Sequence, residues 1–141
     1  MTAMTDKEWR SFLTADTRLA HVALTRADGS PHVTPVCFIL DDDELAFALS
    51  PGSVKGKLLA DNRRIAVCVS DEQQPYSFVT IEGHARTSTD PAQVTHVAAG
   101  IAARYYPAQP AQDLAEAFVQ EGFTAVHITI TNVIARSGLG G

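Results

Sequence analysis

Apolar and polar positions change period several times along this chain, and the changes divide it into elements. Trp9, Phe12 and Leu13 keep helical spacing, and Thr5 with Glu8 fit a capping box, which predicts a short helix over 5–15. Two β-rich runs follow, about 18–25 and 31–40, and Asp28-Gly29 between them is a strong hairpin turn signal. A second turn at Asp41–Asp43 leads into a third strand over 44–49, so three strands form a meander before residue 50. A helix over 53–62 comes next. "RIAVCVS" (64–70) is apolar and rich in β-branched residues, as a buried strand should be.

The run 76–89 is a long strand in which Gly83 marks a bulge. Asp90 as N-cap and Pro91 at the first helical position open a helix carrying Val94, Val97, Ala98, Ile101 and Tyr105 on one side. Beyond the Pro107–Pro110 break, Leu114, Ala117 and Phe118 predict another amphipathic helix, stopped at Gly122. A last strand, "FTAVHITITNVIA", faces Val126, Ile128 and Ile130 to one side, and a Gly-rich tail, about 136–141, is expected to fray. Six mostly antiparallel strands with few helices predict a mainly β protein, a small barrel that leaves no open edge. Strict βαβ alternation and a GxGxxG loop are both missing, which argues against a dinucleotide-binding α/β fold.

Composition narrows the function classes. A chain of 141 residues is expected to form a single domain over 1–141. Its net charge of −5 argues against nucleic acid as a partner. No apolar run reaches the roughly 20 residues that span a bilayer, and the N-terminus lacks a secretory pattern, so the expected location is the cytoplasm. Cys37 and Cys68 sit in apolar runs without a CxxC and read as two small buried hydrophobes. His21, His84 and His127 fall in predicted strands as satisfied barrel or surface residues, and His96 lies on a helix surface. No metal site is expected, since the Asp41–Glu44 run lacks the ligand alternation of a calcium loop and reads as a solvated hairpin tip.

The candidate chemistry lies in "SPGSVKGKLLADNR", Ser50 to Arg63. Only three residues separate Gly52 from Gly56, and Leu58 stands where a P-loop needs a hydroxyl, so a nucleotide-triphosphate loop is excluded. Ser50-Pro51-Gly52 is turn chemistry, and Ser53 is placed to cap the helix. Lys55 and Lys57 then stand at the positive end of the helix dipole, where each exposed cation costs about 0.3–1 kcal/mol. An anion held by Ser50, Ser53, Lys55 and Lys57 would account for them. An ordinary solvated helix start accounts for the segment equally well. Residues two apart do not share a helix face, so the lysines need not grip the same group.

The stretches "DGSPHVTPV", "SPGSVKGKLLADNR" and "PYSFVTIEG" carry a resemblance. In that order they resemble the pyridoxamine 5′-phosphate oxidase-like split β-barrel superfamily, and within it the flavin and deazaflavin (F420-dependent) oxidoreductases. The likeness runs over about residues 8–135. It implies a six-stranded antiparallel split barrel working as a homodimer, with cofactor sites at the subunit interface. It also implies that Thr34, Pro35 and Val36 lie along the tricyclic ring, and that Ser50, Ser53, Lys55 and Lys57 hold the phosphate. Gln74 and Tyr76, in "QPYSF", would close the site from the partner chain. The chain departs from the pattern at Cys37, where many relatives carry an aromatic residue, at Leu58, a commonly polar position, and in its short tail.

From this resemblance the expected function is hydride transfer from reduced coenzyme F420 to a conjugated acceptor, quinone-like, enone or tetrapyrrole-type. The cofactor carries that chemistry, and no side chain is assigned a catalytic role. Two readings stand beside it: an FMN-dependent oxidoreductase of the same fold, and a non-catalytic flavin, deazaflavin or haem carrier. Two lysines pointing different ways favour the deazaflavin, whose phosphate is followed by lactate and glutamate carboxylates. A pyridoxamine phosphate oxidase proper is disfavoured, because no further basic cluster offers itself to a substrate phosphate.

Overall fold

The computed structural model describes residues 1–138. Its elements run β1 (Thr2–Ala3), α1 (Asp6–Thr14), β2 (Ala20–Thr25), β3 (Pro31–Val36), β4 (Ile39–Asp41), β5 (Glu44–Leu49), α2 (Val54–Asp61), β6 (Arg64–Ser70), β7 (Phe78–Ser88), α3 (Pro91–Tyr105), α4 (Ala111–Glu121) and β8 (Thr124–Ser137). The strands make one antiparallel sheet in the order β3-β2-β6-β7-β8-β5-β4, with β1 added beside β8. The two ends of that order, β3 and β4, are consecutive in the chain and joined only through Cys37 and Phe38. One run of chain therefore pairs with β2 by its first half and with β5 by its second, which closes the sheet into a split barrel.

The six predicted strand runs are all present. The run expected over 31–40 is broken at Cys37-Phe38, because Phe38 turns inward and is fully buried. The barrel is filled by alternate residues, including Val22, Val67, Val69, Ile81, Phe47 and Ile128. The helices α3 and α4 pack on its outside. Val94, Val97 and Ile101 meet Ala46 and Ala125 there, so the first half of β8 is buried on both faces. The expected one-sided burial of that strand holds only for its second half.

Local chemistry sets the boundaries. Thr5 and Glu8 form the capping box at α1, and Gly122 ends α4 at φ 80°. The bulge falls between Glu82 and Gly83. β8 runs on to Ser137, because Thr2 and Ala3 pair with Ser137 and Arg136, so the strand continues past the expected start of the frayed tail. The remainder of that tail, 139–141, lies outside the described residues.

Candidate cofactor site

The site grows from the turn that follows β5. Ser53 N–H donates to the Ser50 carbonyl at 3.2 Å, and Gly52 takes φ 74°, as this turn requires of a glycine. Ser53 is the N-cap of α2, its Oγ accepting from Gly56 N–H at 3.2 Å. No acid stands in the first turn of α2. Lys55 reaches from that turn across to β3, where its Nζ donates to Thr34 Oγ1 at 2.9 Å. One hydrogen bond thus ties two of the three segments that carried the resemblance.

Beside this bond opens a cavity of about 340 Å³. Ser50, Ser53 and Lys55 form one end, and Val36, Cys37 and Leu49 line the barrel side. Ile101, Tyr106, Leu114, Phe118 and Phe123 supply the opposite wall from the α3–α4 hairpin. Phe118 and Phe123 are stacked with ring centroids 3.9 Å apart. Burial pushes the Cys37 thiol above its ordinary range, so this residue adds no negative charge at neutral pH. The lining is mostly apolar, with Lys55 as its one cation beside Ser50 and Ser53, which suits a ligand with an apolar body and an anionic group.

Lys57 points elsewhere. It lines a second cleft with Arg63, Thr87, Ser88 and Thr124, on the far side of the Ser50–Ser53 turn. Ser50 and Ser53 belong to the walls of both spaces. Two residues along a helix are about 200° apart around its axis, and that rotation separates the two ammonium groups.

The remaining predicted residues divide by strand face. Thr34 and Val36 are half-buried on one face of β3, and Pro35 is exposed on the other. Of these, Val36 lines the cavity and Thr34 borders it through Lys55. Gln74 and Tyr76 sit in the exposed 71–77 loop, outside both spaces of their own chain. That loop leaves the sheet near Val36, since Ala20 pairs with both Val69 and Val36.

Three expectations are corrected. Both cysteines are half-buried rather than core, Cys37 because it borders the cavity. Three of the four acids in the run are engaged: Asp41 accepts from His127 and His96 at 3.0 and 3.1 Å, Asp43 accepts from Arg10 at 3.0 Å, and Glu44 pairs with Arg86. His96 is accordingly a partner of Asp41 and not a bystander. Among the described residues, no group of three or more His, Cys, Asp or Glu side chains is arranged to hold a metal. No helix there is long and apolar enough to cross a membrane. The α3–α4 wall went unassigned in the sequence because its aromatic residues read as ordinary amphipathic-helix core.

With this geometry in view, comparison with known proteins defines the class. The family model described as pyridoxamine 5′-phosphate oxidase matches residues 5–137. The chain belongs to that family, whose flavin-binding split barrels the sequence motifs resembled. A conserved hypothetical protein from Mycobacterium tuberculosis superposes with a TM-score of 0.86 at 19% identity, covering 96% of this chain and 86% of the other. An F420 reductase gives a TM-score of 0.66 at 20% identity, over 87% and 94% of the two chains. An FAD-binding protein from Mesorhizobium loti gives 0.72 at 21% identity, over 95% of each. No curated protein matches the chain in sequence.

Proposed function

We propose that this protein is a homodimeric oxidoreductase that binds reduced coenzyme F420 and passes hydride to a conjugated small-molecule acceptor. The observation that carries the reading is the Lys55–Thr34 bond at the cationic end of an apolar cavity. It sets an ammonium group, two serine hydroxyls and the first turn of α2 around a space suited to a phosphate. Thr34, Pro35 and Val36 would then border the ring, with Val36 and Leu49 against its apolar face.

When bound, the deazaflavin supplies a hydride, and this chain's own residues bind, orient and exclude water. Lys55, Ser50 and Ser53 anchor the anionic end, and a fixed anchor limits how far the ring can slide along β3. The α3–α4 wall keeps the apolar end dry. No side chain there is assigned a proton to deliver; solvent serves that role.

The face of β3 opposite the cavity is bare in a single chain, with Val33 there 60% exposed. Across the sheet, Pro35 pairs with His21, His21 with Cys68, Cys68 with Thr80 and Thr80 with Ile134. This outward row is uncharged apart from the imidazole, and a second copy of the chain is the proposed cover. Gln74 and Tyr76 of that copy would complete the ring pocket.

FMN is the rival ligand, because it offers the same flat ring and phosphate. Supplying the reduced deazaflavin with a panel of quinone-like, enone and tetrapyrrole acceptors tests the activity. The reading predicts oxidation of the coenzyme that needs both protein and acceptor. Saturable binding without turnover across the panel would make the protein a carrier instead.

A further inference from the structure

We infer that the cleft on the Lys57 side of the Ser50–Ser53 turn is a second anion site, separate from the one at Lys55 and built for a phosphate or carboxylate group. The cleft encloses about 520 Å³ between α2 and the end of β7. Lys57, in the middle of α2, and Arg63, two residues past its end, line it as two cations, and no Asp or Glu lines it. Neither cation is paired with a carboxylate among the described residues. Arg63 is aimed instead by a neutral partner, Nη1 donating to Thr87 Oγ1 at 3.0 Å. Ser88 and Thr124 add hydroxyl groups to the same wall.

That composition runs against the rest of the molecule, which carries a net charge of −5. On such a surface two neighbouring cations would ordinarily attract acids, and here they face hydroxyl groups. A guanidinium and an ammonium side chain lining one cleft, with hydroxyl donors around them, match the oxygen atoms of an oxyanion. The inference goes beyond the cofactor reading, since it needs no ring to be bound. Because Ser50 and Ser53 separate the two spaces, an anion here can belong to the molecule in the cavity or to a separate ligand.

Inorganic phosphate is the probe, titrated by phosphorus NMR at fixed ionic strength into the Lys55→Ala protein, where the first site is disabled. Binding should persist there, and adding Lys57→Ala or Arg63→Gln should weaken it about tenfold, as expected for one lost charge-assisted contact. Both residues are exposed, and an unchanged thermal midpoint confirms that each variant is folded. Absence of phosphate binding in Lys55→Ala would overturn the inference. So would residual binding that ignores the loss of both Lys57 and Arg63.

The source of the anion is read from the Lys57→Ala protein. A selective loss of affinity for the deazaflavin coenzyme over FMN assigns the site to carboxylates on the cofactor. Unchanged affinity for both, with phosphate binding lost, assigns it to a second ligand. Either result, given that loss, supports the cleft as a site.

Discussion

A methyl group added at position 83 has no room. A Cβ there would lie 2.1 Å from the Thr129 carbonyl oxygen, a backbone atom that cannot swing aside. Gly83→Ala should therefore lower stability by about 1–3 kcal/mol, the range for overpacking a tight site; an unchanged denaturation midpoint would show that β8 yields there. Lys55→Ala tests function in place of packing. It removes a hydrogen bond without opening the core, so cofactor affinity should fall tenfold or more while the melting temperature stays put. At this scale the sequence was legible wherever chemistry is local. The capping box at Thr5, the cap at Ser53, Pro91 at a helix start and the bulge at Gly83 all depend on near neighbours. Cys37 and Asp41 were misread because what surrounds them, the cavity wall from α3 and α4 and the pair His96 and His127, is far away in sequence.

At the scale of elements, Asp41 joins three pieces: the end of β4, the outer face of α3 through His96, and β8 through His127. Burial pushes the Asp41 carboxyl up, but the hydrogen bonds from the two histidines outweigh it and hold the group below its ordinary 3.8. A carboxylate depressed in the folded state stabilises above its unfolded value of about 3.9 and loses that contribution as pH falls through the folded value. Asp41→Asn should thus be less stable than the native protein at neutral pH, and the gap should close below about pH 4. A gap that is constant from pH 7 to pH 3 would mean that the charge on Asp41 contributes nothing. The elements themselves were readable from period and caps. The break between β3 and β4 was not, since "PVCFIL" is continuous in hydropathy and only closure of the barrel interrupts it. For the same reason β1 was invisible: two residues carry no period, and only β8 makes them a strand.

At the scale of the whole molecule, the split barrel leaves one face of β3, β2, β6, β7 and β8 without a helix over it. Val33 and Ile134, 60% and 38% exposed, lie toward opposite sides of that face. Introducing like charge at both, Val33→Glu with Ile134→Glu, should convert the proposed dimer to a monomer in light scattering without unfolding the barrel; a dimer that survives would place the interface elsewhere. The family was legible in three short motifs, because each holds a glycine that local geometry requires: Gly29 and Gly52 take positive φ, and Gly83 has no room for a Cβ. The second wall of the cavity was not, because it comes from residues 101–123, far beyond Lys55 in the chain.

The proposed function requires the Lys55 end of the cavity to hold the phosphate of a deazaflavin. Ring fluorescence followed during titration of the native and Lys55→Ala proteins with coenzyme F420 and with FMN tests it most directly. Saturable binding is expected, tighter for F420 than for FMN, with the F420 affinity falling tenfold or more in Lys55→Ala. Tighter binding of FMN would overturn the choice of cofactor, and equal affinities in the two proteins would remove Lys55 from the site.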